Sequence, residues 1–81
     1  MKTNDIKKGT RFRLRNGWEA TMEDNKKGNI RLATVYGMFT EMGSVYGHDI
    51  VMVLNLEENT WETVEHTPAQ IKALNTIGSM Y

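Results

Sequence analysis

The chain reads as a mainly β domain, an α+β arrangement of about five antiparallel strands followed by one C-terminal helix. Three observations predict this. Polar and apolar residues alternate over 10–15 and again over 18–23. The most apolar run, 49–55, is short and rich in isoleucine and valine, as a central strand is. The period then changes after Pro68, from two to the spacing of a helix.

In the first hairpin, Phe12, Leu14, Trp18, Ala20 and Met22 share one face. Asn16-Gly17 suggests a two-residue turn, but that register sets Leu14 opposite Glu19 and brings a carboxylate to the core side. An odd loop of Arg15, Asn16 and Gly17 removes the conflict. Leu14 then faces Trp18, Phe12 faces Ala20 and Arg13 faces Glu19, with Gly17 left-handed. Trp18 is thereby expected in the core.

Asp24 to Gly28 reads as a second turn, and 29–36 as a third strand. In that strand Ile30 and Leu32 share one face while Ala33 and Val35 share the other, so it is either buried on both sides or bulged. Residues 37–47 hold three glycines and read as a loop, whose Met38, Phe39 and Met42 pack down or offer a contact. Glu57 to Asn59 is a turn, and 60–66 a short final strand.

Thr67-Pro68-Ala69-Gln70 has the form of a helix start: Thr67 caps, Pro68 takes the first helical position, and Gln70 completes a capping box. The predicted apolar stripe is Ile71, Leu74, Ile77 and Tyr81, with Gly78 loosening the end. Such a helix is too short to stand alone and is expected to lie across an open side of the sheet. The 81 residues thus divide into a flexible start at 1–5, a β region at 6–66 and a helix at 67–80, all one domain.

Composition narrows the chemistry. There is no cysteine, so disulfides and thiolate metal sites are excluded, and a reducing cytoplasm is the expected location. His48 and His66 stand at no ligand spacing, and each is expected to be hydrogen-bonded or partly exposed. His48 and Asp49, adjacent on a strand, would point to opposite faces. No apolar run approaches the roughly 20 residues of a membrane span, and the first residues do not read as a signal peptide. No nucleophile elbow, phosphate loop, dinucleotide fingerprint or zinc-protease motif occurs. The chain is therefore expected not to be an enzyme and to need no cofactor or metal.

Net charge is zero but uneven. Residues 1–36 hold nine basic and four acidic side chains, a balance of +5; residues 37–81 hold one basic and six acidic, a balance of −5. The basic set is Lys7, Lys8, Arg11, Arg13, Arg15, Lys26, Lys27 and Arg31, with Lys2 before it. Arg11, Arg13 and Arg15 leave one strand face at about 6–7 Å intervals, close to the spacing of phosphates, and the guanidinium fork suits phosphate. The competing reading of these arginines is a ladder of ion pairs with Glu19 and Glu23.

Ile6-Lys7-Lys8-Gly9, then Phe12 to Gly17, then Ala20 and Met22, resemble the opening of small SH3-like β-barrels of the KOW type. The resemblance covers about residues 6–36, and it implies a small SH3-like antiparallel barrel. Gly43 to Ile50 depart from that pattern. The chain is also similar in style to short uncharacterised proteins carried by bacteriophages and plasmids, in phrases such as Arg15-Asn16-Gly17-Trp18 and Gly43-Ser44-Val45-Tyr46.

Together these features suggest a small binding protein of a mobile element that docks on a host protein or complex, as anti-CRISPR inhibitors of defence do. Its contact would be the loop with Met38, Phe39, Met42 and Tyr46, or the basic face. A nucleic-acid accessory factor using the basic face is the second expectation. A structural or self-associating domain, monomer or homodimer, is the third. No membrane is implied.

Overall fold

A computed structural model describes residues 1–25 and 28–77, the last two as backbone only. Its strands are β1 (Arg11–Leu14), β2 (Glu19–Asp24), β3 (Ile30–Tyr36), β4 (Thr40–Tyr46), β5 (Ile50–Asn55) and β6 (Thr60–Thr63), followed by one helix, α1 (Pro68–Ile77). They form a single antiparallel sheet in the order β4-β3-β2-β1-β5-β6.

The protein is mainly β with a C-terminal helix, as expected, but the expected five-stranded barrel is corrected. The described residues form six strands, and the sheet is open, with β4 and β6 at its edges. A 3₁₀ turn at Gly47–Asp49 separates β4 from β5 and leads β5 onto β1. The radius of gyration is 11.6 Å. A globule of this length has about 12 Å, so the chain is as compact as an ordinary domain of its size.

The β1–β2 loop has the odd length that parity demands. Leu14 N–H donates to Trp18 O at 2.7 Å, and Gly17 N–H donates to Leu14 O at 2.9 Å. Phe12 lies opposite Ala20 and Arg13 opposite Glu19. Gly17 has φ +94°, which side chains disfavour. Gly17→Val is therefore expected to cost roughly 1–2 kcal/mol, read from the urea midpoint. Trp18 departs from the core placement. It is 38% exposed, and its ring lies flat against Gly37, where an added Cβ would overlap it.

In β3 the inward phase belongs to Arg31, Ala33 and Val35, all buried, while Ile30 is 49% exposed. The irregularity sits in its partner, between Met22 and Asp24. Residues 37–47, expected as a loop, are a correction. Gly37 to Phe39 turn the chain, and Thr40 pairs with Tyr36 to start β4. With only a three-residue loop, the remaining residues are long enough to pair with all of β3. The apolar run at 49–55 becomes β5, flanked on both sides by β1 and β6.

The capping box forms reciprocally: Thr67 N–H donates to Gln70 Oε1 at 2.9 Å, and Gln70 N–H to Thr67 Oγ1 at 3.2 Å. It also decides the helix face. Gln70 is buried and receives the Thr3 hydroxyl at 3.4 Å, whereas Ile71 is 50% exposed. Leu74 is half-buried. The predicted stripe is thus turned by about one residue, or 100°. The helix packs on the Gly47–Asp49 turn. Gly78 and Tyr81 lie outside the described residues.

The first five residues, expected to be loose, are tied down. Thr3–Asp5 form a 3₁₀ turn with Thr3 buried, Lys2 bridges Glu65, and Glu65 N–H donates to Met1 O at 2.9 Å. Inside the sheet, Ile6, Phe12, Leu14, Ala20, Met22, Ala33, Val35, Val45, Ile50, Val53 and Val64 form one buried cluster.

Candidate functional site

The sequence offers two candidate surfaces, and the structure treats them differently. On the basic strand, Arg11 and Arg13 leave the outer face and then splay apart. Arg11 Nε donates to Glu19 Oε1 at 3.0 Å, and its guanidinium lies 4.2 Å from the centre of the Tyr36 ring on β3. Arg13 reaches the other way, 4.3 Å from the Trp61 ring on β6, with Glu19 Oε2 at 3.8 Å. Arg15 turns under the loop. It donates to His48 O at 2.6 Å, and its Nε is 3.4 Å from the buried carboxylate of Asp49. All three guanidiniums thus have partners. Their ends follow three directions, not the regular row that phosphates would require.

The rest of the basic set is scattered. Lys7 and Lys8 are exposed beside an open cleft of about 570 Å³ whose wall also carries Glu57 and Glu62. Lys26 and Lys27 lie outside the described residues. Arg31 is a correction, since it is 2% exposed and cannot meet a partner. Its Nε donates to Gly28 O at 2.9 Å, one Nη to Asn4 Oδ1 at 3.0 Å and the other to Asn25 Oδ1. Burial pushes this guanidinium below its ordinary pKa. The signal was present in the sequence, because Arg31 shares strand parity with Ala33 and Val35.

His48 and Asp49 are also corrected. They sit on a 3₁₀ turn, where successive residues rotate by about 120° and not the 180° of a strand. Both are fully buried, with His48 Nε2 3.9 Å from Asp49 Oδ1. His66 Nε2–H donates to Ile50 O at 2.8 Å, as a hydrogen-bonded histidine was expected to.

The second surface is the β3–β4 hairpin. Met38 is 86% exposed, Phe39 74% and Met42 62%. Tyr46 is different: it is half-buried and stacked on His48 with centroids 4.9 Å apart, and its neighbour Val45 is buried. Beneath the tip, Trp18 fills the space that Gly37 leaves by having no side chain. Hydrogen bonding shapes the tip as well, with Gly37 N–H donating to Phe39 O at 3.2 Å. The backbone thus holds two large apolar side chains in water at the end of a braced hairpin. Water disfavours that arrangement unless the surface is covered in use.

Among the described residues, no group of three or more His, Cys, Asp or Glu is placed to hold a metal ion. No helix among them is long and apolar enough to cross a membrane. No protein-family model, curated protein or solved structure matches this chain.

Proposed function

We propose that this chain is a small, non-catalytic binding protein of a phage or other mobile element, and that it docks on a host protein through the tip of the β3–β4 hairpin. The observation that carries the reading is the exposure of Met38 and Phe39 on a loop braced by Trp18. Large side chains on a rigid support bind at low entropic cost, and the matching surface is an apolar pocket that accepts a thioether and a phenyl ring. Inhibition of a host defence complex by occupying such a pocket fits a chain of this size.

The finer fold reading belongs with this proposal. We infer an opened SH3-like barrel, in which β1 lies between β2 and β5 and so joins the start of the chain to its far end. A nucleic-acid role is less supported, because Arg11, Arg13 and Arg15 already hold acids, rings or a carbonyl.

The test is retention of host-lysate protein on immobilised chain, with and without nuclease. Met38→Asp with Phe39→Asp is expected to weaken retention of a stoichiometric protein about 30-fold or more, as loss of about 2 kcal/mol at a hot spot does. The variant should melt like the parent, since neither side chain is packed. Equal retention by parent and variant, or retention that nuclease abolishes, would overturn the reading.

A further inference from the structure

The two edges of the sheet are not alike. β6 is four residues long, carries Glu62, and is followed at once by the bridge between Glu65 and Lys2. β4 is seven residues long and pairs with β3 without a break, from Tyr36 opposite Thr40 to Ile30 opposite Tyr46. It has no proline, lysine or arginine, and Glu41 is its one charge. Edges are normally guarded by charged residues, proline, bulges or short length, and on β4 Glu41 is the one such guard.

Hydrogen-bond parity says which groups its edge presents. Gly47 N–H donates to Asn29 O, and Gly37 N–H to Phe39 O, which marks the bonded pairs at both ends of the ladder. Bonded pairs alternate in an antiparallel sheet, so Val45, Gly43 and Glu41 direct their backbone groups at β3. The N–H and C=O groups of Thr40, Met42, Ser44 and Tyr46 therefore face away. Among the described residues β4 pairs with β3 alone, so these groups lie on the open side of the ladder. They form a row about 20 Å long.

We propose that two copies of this chain join through this row, β4 against β4, antiparallel and centred on Gly43. The occupant is a second copy because the strand is complementary to itself in that register. Thr40 meets Tyr46 of the second copy and Met42 meets its Ser44, so every outward donor finds an outward acceptor, about eight bonds in all. Glu41 meets Val45 of the second copy and never another carboxylate. Gly43 meets Gly43, leaving the crowded centre free of side chains. The chain's zero net charge adds no long-range repulsion between copies. The paired ladder ends at Thr40, so Met38 and Phe39 lie beyond it and the dimer carries two docking tips. This inference does not rest on the docking reading.

Sedimentation equilibrium of the purified chain, from micromolar to near-millimolar, tests it. The expected result is a reversible rise to twice the monomer mass. Ser44→Pro removes one outward N–H that bonds nothing within the monomer. Met42→Lys sets two cations about 7 Å apart across the junction. Each variant should weaken association at least tenfold. Should the proline variant fail to fold, the lysine variant and amide exchange decide the matter. With rising concentration, the amides of Thr40, Met42, Ser44 and Tyr46 should slow, while those of Glu41, Gly43 and Val45 should not change. A monomer at every concentration overturns the proposal, as does a dimer that Met42→Lys leaves intact or one without that alternating protection; either would leave the edge to a strand from another protein or the contact to another surface.

Discussion

Arg31→Met is expected to destabilise the protein by about 3 kcal/mol, seen as a lower urea midpoint at unchanged slope. The guanidinium is 2% exposed and its partners are neutral oxygens, those of Gly28, Asn4 and Asn25. Asn25 in turn donates to Thr3 O at 2.8 Å and Ile6 O at 2.9 Å. One cation therefore holds the 3₁₀ turn Thr3–Asp5, the β2–β3 connection and the start of β3 together. Methionine fills the same space without donors, which leaves three part-buried acceptors without the cation that met them. Desolvation alone would favour the substitution, since an isolated buried charge is costly. The number of acceptors decides the sign. Arg31→Lys should recover less than half of the loss, because an ammonium cannot reproduce the fork. A methionine variant as stable as the parent would show that these oxygens reach water once the cation is gone.

Phe12→Ala is expected to cost about 4 kcal/mol. Phe12 is fully buried on the central strand, opposite Ala20 on one side and Val53 on the other. Ala20 is too small to fill the space, and β1 is hydrogen-bonded on both edges and cannot collapse inward. A chain of this length has a total stability of about 4–12 kcal/mol, so the variant should be partly unfolded at 37 °C. Near-ultraviolet circular dichroism and a thermal melt would show it. Phe12→Leu should cost no more than about 1.5 kcal/mol, which separates the loss of volume from any special role of the ring. An alanine variant that melts within a few degrees of the parent would mean that the sheet closes over the gap.

The candidate sites were legible to different depths. Met38 and Phe39 could be named from the sequence because a glycine-rich stretch with large apolar residues must either bury or display them. Which of the two happens depends on Trp18, 19 positions before Gly37, filling the room below the turn. Arg11 and Arg13 could be named as outward-facing, and their parity held. Their partners Tyr36 and Trp61 could not, because those rings come from strands whose register no local pattern encodes. The edge of β4 was hidden for a similar reason. Gly43 and Ser44 weaken the alternation that marks a strand, and β3 supplies the pairing that compensates.

By itself the sequence determined what depends on near neighbours: the odd β1–β2 loop, the reciprocal cap at Thr67 and Gln70, and the inward phase of Phe12, Ala20 and Met22. These follow from backbone geometry over two to four residues, which composition and spacing express directly. Only the tertiary structure decided that the sheet stays open, that His48 and Asp49 meet on a tight turn, and that the helix buries Gln70 in place of Ile71. Each of those depends on contacts between residues far apart in the chain, such as β1 with β5 or Thr3 with Gln70. The free energy of such contacts belongs to the packed whole and leaves no period in the sequence to read.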